Sequence, residues 1–505
     1  MYLHKKNMQR LRFTQEIKKR PILSIAIGIL IILCLFAFFA TTGTYQVIES
    51  TSIWVRSYFG YFYLYLGLGC VLFLLAIAFS PIGNITLGKQ NSKPEHSTWS
   101  WIAMLYSAGM GAGILLRAVQ EPVFMLQNPP FKSEKIPSIL ALEFTFYQWG
   151  FTAWAFYGLF AMVMGVALFV DHKKVKISAT IEDTIPHPVA KGSIDLLTII
   201  TTIFGLIAAI GLGTTQISGG LTHILEIDFG FKTTLLLTLI ICSLAFLSAW
   251  KGLNKGIKLL SKGNILVTLG LLLFVFIASD ILGIINSFAN ATFAYVTDFI
   301  PMSIAMGNYN PGLNFLTDWT FYYWAFWIAW APFTGIFIAR ISKGRTLRQL
   351  LLGVLTIPSL GTFFWFSVFG HSAFNLLQDW GTYQGEFNNV FTSIFVFLQN
   401  YPMASLLNIT TIILLIGFLV TSVDSAVFVL SMFTDNGKPN PSKKHRLLWS
   451  IFILLATLAL LVLANVKQNI DILSTVQKLL IITSLPFALF MIFMAFAFLK
   501  KRLHL

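Results

Sequence analysis

The feature that most constrains the fold is the recurrence of long apolar segments. Windows long enough to cross a bilayer, at about 20 residues each, occur about twelve times along the 505 residues. They fall near residues 21–43, 57–81, 100–127, 138–170, 194–223, 231–250, 263–285, 318–342, 349–371, 404–434, 447–466 and 473–499. With 56% hydrophobic residues, 11% charged residues and a mean hydropathy of +0.76, the chain carries more apolar surface than a soluble domain can bury. The sequence therefore predicts an all-α integral membrane protein with twelve transmembrane helices.

The basic residues predict the orientation of these spans. If the N-terminus lies inside, most of the 35 Lys and Arg residues fall in inside segments, whereas the long outside loops 286–317 and 372–403 contain none. This is the positive-inside pattern, which predicts a multi-pass protein of the plasma (inner) membrane with both termini cytoplasmic. It also accounts for the formal net charge of +15 through anionic lipid rather than nucleic acid. The apolar run Pro21–Thr41 is too long for the core of a signal peptide and is predicted to be a retained first span.

Charged residues inside the predicted spans are rare, and each needs a partner or a role. Arg117 is the one basic residue placed well inside a span, more than five residues from either end. Glu121 follows it by four residues, which on a helix brings both side chains to one face and favours a local ion pair. The alternative is that Arg117 faces a cavity and attracts a substrate carboxylate.

Two spans contain predicted interruptions. Gly109, Gly111 and Gly113 alternate in the third span, which indicates loosened backbone of the kind that survives at membrane depth only beside a cavity. Pro332 indicates a second break, in the eighth span. Because these spans are five apart, they predict two five-span repeats, and paired broken helices point to a transporter's binding site. The predicted divisions are 1–98 (tail and two peripheral spans), 99–287 (first repeat), 288–317 (interfacial segment), 318–499 (second repeat) and 500–505 (short tail).

Indole side chains are concentrated beside the predicted break at Pro332. Trp324, Trp327 and Trp330 recur every three residues, and the fourth span adds Trp149 and Trp154. One interpretation is an aromatic belt at the membrane interface or lipid-facing packing. Belts lie at span ends, however, and indole faces bind quaternary ammonium groups. For Trp327 and Trp330 we favour a ligand-binding role, for Trp324 packing, and for Trp149 and Trp154 both interpretations stay open.

The tenth span carries two adjacent hydroxyl groups, those of Thr421 and Ser422, which lie between Phe418 and Asp424. Such hydroxyls often bond only to the preceding turn of their own helix. They could also complete an oxygen shell for a hard cation, together with carbonyls freed by the glycine-rich break.

These motifs together resemble one family, the betaine/choline/carnitine transporters (BCCT). The most specific stretch is residues 324–370, which begins WAFWIAWAPFTGIFIARISKGRTLRQ. Supporting stretches are AGMGAG (108–113), WGFTAWAFY (149–157), GLGTTQISGGL (211–221) and TSVDSAVFVL (421–430). The resemblance implies a LeuT-like core of two inverted five-helix repeats with two extra N-terminal helices, a homotrimer in the bilayer, and transport of a small zwitterionic or quaternary ammonium solute.

The resemblance also implies roles for particular residues. The substrate site it implies comprises Gly109, Met110, Gly111, Gly113, Trp149, Trp154, Tyr157, Trp327 and Trp330, with Phe326 and Arg117 beside them. In sodium-coupled members the cation site would map to Ser107, Met110, Phe418, Thr421 and Ser422. Phe326 stands where the family usually has Trp, and Ala329, Arg117 and His371 also depart from the pattern. Gly113 stands where choline carriers tend to have an acid, so a betaine-like zwitterion is favoured.

The leading hypothesis is a sodium-coupled symporter for a betaine-like solute that works by alternating access. The alternatives are a sodium-independent exchanger or proton-coupled carrier of choline or carnitine, and a transport-inactive membrane sensor or scaffold. An enzyme is not expected, since HExxH and GxSxG motifs are missing from the sequence. The three cysteines lie in apolar runs and predict neither a disulfide framework nor a metal site. No cofactor is expected besides sodium as the coupling ion.

Overall fold

Helices form most of the part of the chain that the structure describes. The computed structural model describes residues 21–89, 92–185, 187–227, 230–251, 256–467 and 472–503, without the side chains of 21, 107–110, 249–251, 256–259 and 473. Within this part of the chain, eleven helical stretches are long and apolar enough to cross a membrane. The helices that form them are Pro21–Phe39, Thr41–Phe79, Pro137–Trp149 with Phe151–Phe169, Pro188–Leu225, Gly230–Lys251, Gly256–Ile277, Phe321–Ile341, Leu347–Trp380, Ala404–Thr434, Lys443–Val466 and Ile472–Arg502. The all-α membrane class is confirmed.

The third predicted span is not among these eleven stretches, because it is not one continuous helix. It consists of helices Thr98–Met110, Gly113–Arg117 and Gln120–Gln127. The first of these ends at Gly111, whose φ of 41° and ψ of −154° lie in a region that side-chain-bearing residues rarely adopt. The predicted loosening of the glycine-rich stretch is confirmed, and it is centred on Gly111.

The second predicted break is wrong. Helix Phe321–Ile341 continues through Pro332, and the irregular turn of the eighth span is a π-helical segment earlier in the chain, Leu316–Thr320. Proline removes a single backbone donor, which a packed transmembrane helix can tolerate. Here the packing is close, because a Cβ on Gly335 would lie 2.4 Å from the Cβ of Phe160 in the fourth span. The paired breaks therefore do not support the two repeats, and the division at 99–287 and 318–499 stays a prediction.

The first half of the predicted interfacial segment 288–317 belongs to a helix, Ile281–Ser303, that begins before residue 288. Asp280 caps it by accepting a hydrogen bond from the backbone N–H of Gly283 at 3.0 Å. Its buried face includes Tyr295, whose hydroxyl accepts from the backbone N–H of Phe151 at 2.9 Å and so anchors this helix to the fourth span. Its opposite face exposes large apolar side chains, with Leu282 79% exposed. This is the two-faced pattern of a helix lying along a membrane surface.

Candidate functional site

A cavity of about 180 Å³ lies beside the break in the third span. The third, fourth, fifth, eighth, tenth and twelfth spans all contribute to its wall. The lining residues are Gly111, Ala112, Gly113, Leu116, Arg117, Trp149, Tyr157, Ala209, Leu212, Gly213, Gln216, Tyr322, Tyr323, Phe326, Trp327, Trp330, Leu419, Ser422 and Gln477. An engineered cavity of about 150 Å³ in another protein holds benzene, so this one suits a small solute.

Three aromatic rings form one part of the cavity wall. The centroid of Trp327 lies 5.5 Å from that of Trp149 and 5.3 Å from that of Tyr157. The planes are steeply inclined, at 84° and 66° respectively. Each side chain is at most 6% exposed. We call Trp149, Tyr157 and Trp327 the aromatic corner.

Hydrogen bonds fix the two indoles of the aromatic corner. Trp327 donates its Nε1–H to the backbone carbonyl of Gln148 at 3.1 Å. Trp149 donates its Nε1–H to the carboxylate of Glu121, at 3.1 Å to Oε1 and 3.2 Å to Oε2. Tyr323 donates its hydroxyl to the same carboxylate. Glu121 is completely buried. Its carboxylate holds two cavity-lining rings at once, those of Trp149 and Tyr323.

Trp330 and Phe326 extend the aromatic lining along the eighth span. Their ring centroids are 6.1 Å apart. Trp330 packs over Gly205 of the fifth span, where a Cβ would lie 3.2 Å from the indole. Gly205 therefore lets the fifth span approach the indole closely.

Two of the tryptophans stand behind this lining. Trp324 is fully buried and packs against Tyr147 and Phe156, with centroids 5.2 and 6.2 Å away, as the packing interpretation predicted. Trp154 is also fully buried and does not line the cavity. Its ring meets Tyr157 edge-on at 5.6 Å, so it supports a corner residue from behind.

The break in the third span faces the tenth span. A Cβ on Gly111 would lie 3.7 Å from Oγ of Ser422, and both residues line the cavity. Gly113 lies beside Trp149, with 3.5 Å from its Cβ position to the indole. The side chains of residues 107–110 lie outside the described part of the structure. The contacts predicted for Ser107, Gly109 and Met110 therefore stay predictions.

The predicted cation ligands of the tenth span lie on a continuous helix, Ala404–Thr434. Thr421 donates its hydroxyl to the carbonyls of Gly417 and Phe418, at 3.1 and 3.0 Å. Its oxygen keeps lone pairs as an acceptor. Helix Thr98–Met110 ends beside Ser422, and the last four carbonyls of a helix lack partners in that helix. The carbonyls of Ser107 and Met110, which were predicted as cation ligands, are among these last four.

Arg117 does not form the ion pair predicted with Glu121. Its guanidinium donates to Oε1 of Gln120 at 2.6 Å and lies 5.8 Å from the ring of Trp319. The helix is interrupted between Arg117 and Gln120, so a spacing of four no longer brings residues 117 and 121 to one face. The structure instead agrees with the alternative in which Arg117 faces a cavity, since Arg117 is one of the lining residues.

Four polar or aromatic lining residues were not singled out from the sequence: Gln216, Tyr322, Tyr323 and Gln477. A signal for Gln216 exists, because an amide in the middle of an apolar span requires an explanation. The tyrosines precede the tryptophan stripe and resemble belt residues.

A buried, aromatic-lined cavity beside a broken helix, inside a bundle of membrane-crossing helices, defines the class of solute transporters. The family model for "BCCT, betaine/carnitine/choline family transporter" matches residues 21–504. The chain belongs to this family, whose members are transporters and not enzymes.

Curated relatives cover most of the chain. It is 38% identical over 461 residues to the glycine betaine transporter OpuD of Bacillus subtilis, a match covering 89% of this chain and 88% of OpuD. It is 32% identical to the ectoine/hydroxyectoine transporter of Virgibacillus pantothenticus, covering 87% of this chain and 88% of that one. It is 33% identical to the high-affinity choline transport protein of Escherichia coli, a match covering 90% of this chain and 68% of that one.

Proposed function

We propose that this protein imports a small betaine-like zwitterion, with sodium as the coupling ion, by alternating access. The observation that carries the proposal is the aromatic corner of Trp149, Tyr157 and Trp327 in a cavity of about 180 Å³. Tryptophan and tyrosine faces attract quaternary ammonium groups, and the attraction is strongest where water is excluded. The relatives whose names mention glycine betaine and choline support this class of solute.

The charges around the cavity favour a zwitterion over a simple cation. Neither Asp nor Glu is among the described residues that line the cavity. A positive group would therefore rest against aromatic faces rather than against a carboxylate. Arg117 adds a fixed positive charge to the lining, which attracts a carboxylate and repels a cation that lacks one.

Sodium coupling is supported by the donors around the break. The carbonyl end of helix Thr98–Met110 carries the negative end of the helix dipole, which favours a cation. Ser422 lies beside that end and Thr421 precedes it on the same helix, so hydroxyl and carbonyl oxygens occur together. Oxygen donors of this kind suit a hard cation. Alternating access would then couple the two sites, because both share the break at Gly111.

The experiment is uptake of labelled glycine betaine, choline and carnitine into proteoliposomes. The liposomes carry an inward sodium gradient, an inward proton gradient, or unlabelled solute inside with no ion gradient. The proposal predicts accumulation of glycine betaine under the sodium gradient alone. Accumulation under the proton gradient, or only by counterflow, would replace sodium coupling with one of the rival mechanisms. Lack of uptake under all three conditions, with retained solute binding, would favour a sensor.

The membrane arrangement is part of the proposal. We propose that both termini are cytoplasmic, because this orientation places most basic residues on one side. The homotrimer implied by the family resemblance stays a prediction, which mass measurement of the detergent-solubilised protein would test.

A further inference from the structure

Gln216 is a buried polar side chain that no other part of the site explains. It lies in the fifth span, is 1% exposed and lines the cavity. Among the described residues, neither its Nε2 nor its Oε1 has a hydrogen-bond partner. Buried amides nearly always have partners, and one that faces a ligand cavity can find its partner in the ligand.

The position of Gln216 along the fifth span places it away from Trp330. Gly205 of the same helix lies against Trp330. Gln216 follows Gly205 by eleven residues, which is about 16 Å along a helix at about 1.5 Å per residue. Ala209, Leu212 and Gln216 continue the same cavity-facing stripe.

The eighth span crosses in the opposite direction, so the matching depth can be read from its own numbering. Eleven residues before Trp330 is Trp319. The guanidinium of Arg117 lies 5.8 Å from the ring of Trp319. Gln216 and Arg117 therefore line the same cavity at about the same depth, and we call this region the Arg117 end.

The chemistry of the Arg117 end suits a carboxylate. A guanidinium offers several N–H donors in a fixed plane, and the amide of Gln216 offers two more. One guanidinium N–H group is directed to Gln120, at 2.6 Å, which orients the Arg117 side chain. Donors of this kind bind carboxylates through charge-assisted hydrogen bonds.

We propose that Gln216 is a specificity-determining residue that, with Arg117, binds the carboxylate of the transported zwitterion at the Arg117 end of the cavity. This inference rests on the proposed function. It identifies the Gln216 amide as a group by which the protein distinguishes zwitterions from cations. Tyr323 links the two regions, since its ring centroid lies 6.1 Å from that of Trp319 and 6.0 Å from that of Trp149. The carboxylate of a zwitterion at the Arg117 end therefore leaves its ammonium group directed towards the aromatic corner.

The test compares Gln216→Leu and Gln216→Glu with the wild-type protein. Leucine removes the amide at similar volume, and glutamate keeps the shape while adding a charge that repels a carboxylate. The matched control is Thr215→Val, on the same helix, because Thr215 bonds its hydroxyl to the carbonyl of Gly211 and does not line the cavity. Each protein is checked for monodispersity and thermal unfolding before reconstitution. Initial rates are measured for glycine betaine and, as inhibitor, choline.

We expect Gln216→Leu to raise the KM for glycine betaine about tenfold while the inhibition constant of choline stays within twofold. Gln216→Glu should raise the KM further and strengthen inhibition by choline. Thr215→Val should match the wild type. An unchanged KM for glycine betaine in both Gln216 variants, or an equal loss for the two solutes, would overturn the inference. Wild-type protein that takes up no glycine betaine would instead overturn the proposed function, and the inference with it.

Discussion

Trp327 stands edge-on to Trp149, with ring centroids 5.5 Å apart and planes inclined at 84°. The two indoles come from different spans and are fixed by different acceptors, the carbonyl of Gln148 and the carboxylate of Glu121. A corner held in this way is organised before any solute arrives. Preorganisation of this kind reduces the entropy lost on binding.

Removal of Trp327 should weaken solute binding strongly. A desolvated cation–π contact contributes about 2 kcal/mol, so Trp327→Ala should raise the Kd for glycine betaine roughly 30-fold. Trp324→Phe is the matched control, because Trp324 is fully buried against Tyr147 and Phe156 and does not line the cavity. It should lower the melting temperature slightly and leave the Kd unchanged. Binding of labelled solute to the purified variants measures both effects, and equal Kd changes would mean that the whole stripe is packing.

Gly111 and Gly113 should respond differently to alanine. Gly111 has a φ of 41° that side chains rarely adopt, so Gly111→Ala should cost about 1–3 kcal/mol of stability. A Cβ at Gly113 would make an ordinary contact with Trp149 at 3.5 Å, and Gly113→Ala should be tolerated. Thermal unfolding of the two variants in the same detergent gives the comparison. Similar melting temperatures would show that the backbone at Gly111 is not constrained as described.

The hydroxyls of the tenth span should control the sodium response. Ser422→Ala removes an oxygen that lies near the carbonyl end of helix Thr98–Met110, and Thr421→Ala removes the hydroxyl of the preceding residue, so both should raise the sodium concentration needed for half-maximal uptake. Ser431→Ala on the same helix is the control, because its hydroxyl bonds back to Val427 and does not line the cavity. Unaltered sodium dependence in the two single variants and in their double variant would rule out this site.

Glu121 should affect solute binding indirectly, through the rings of Trp149 and Tyr323 that it fixes by hydrogen bonds. Glu121→Ala leaves the donors of Trp149 and Tyr323 unpaired, at about 1–3 kcal/mol for each. It should lower both the melting temperature and the affinity for solute, whereas Glu121→Gln keeps one acceptor and should have a smaller effect. Because Arg117 bonds to Gln120 instead, Glu121→Gln should not rescue Arg117→Gln. Rescue in the double variant would restore the ion-pair interpretation.

The sequence was most informative where lipid is the solvent. A membrane span must satisfy its own backbone hydrogen bonds, so long apolar windows predict helices with little ambiguity. The same constraint made Gly111 recognisable, since irregular backbone at membrane depth needs a protected cavity. The role of Trp324 in packing was also predicted, while Trp154, which the resemblance placed in the substrate site, lies behind Tyr157.

Local rules failed where packing between spans decides the outcome. Pro332 reads as a helix breaker, yet the helix continues because the fourth span packs closely along it. Arg117 and Glu121 have the spacing of an ion pair, but a break in the helix between them changes the faces on which they lie. Gln216 was missed because an amide in an apolar span signals some polar role without indicating which, and its place in the cavity depends on which helices surround it.

The most direct test of the account is equilibrium binding of labelled glycine betaine to the purified protein in sodium and in potassium buffers of equal ionic strength. In a sodium-coupled carrier whose two sites meet at the break at Gly111, we expect sodium to strengthen solute binding, and by linkage the solute then strengthens sodium binding by the same factor. The account predicts an affinity at least fivefold higher in sodium, with the difference lost in the Thr421→Ala, Ser422→Ala double variant. The same affinity in both buffers would contradict it.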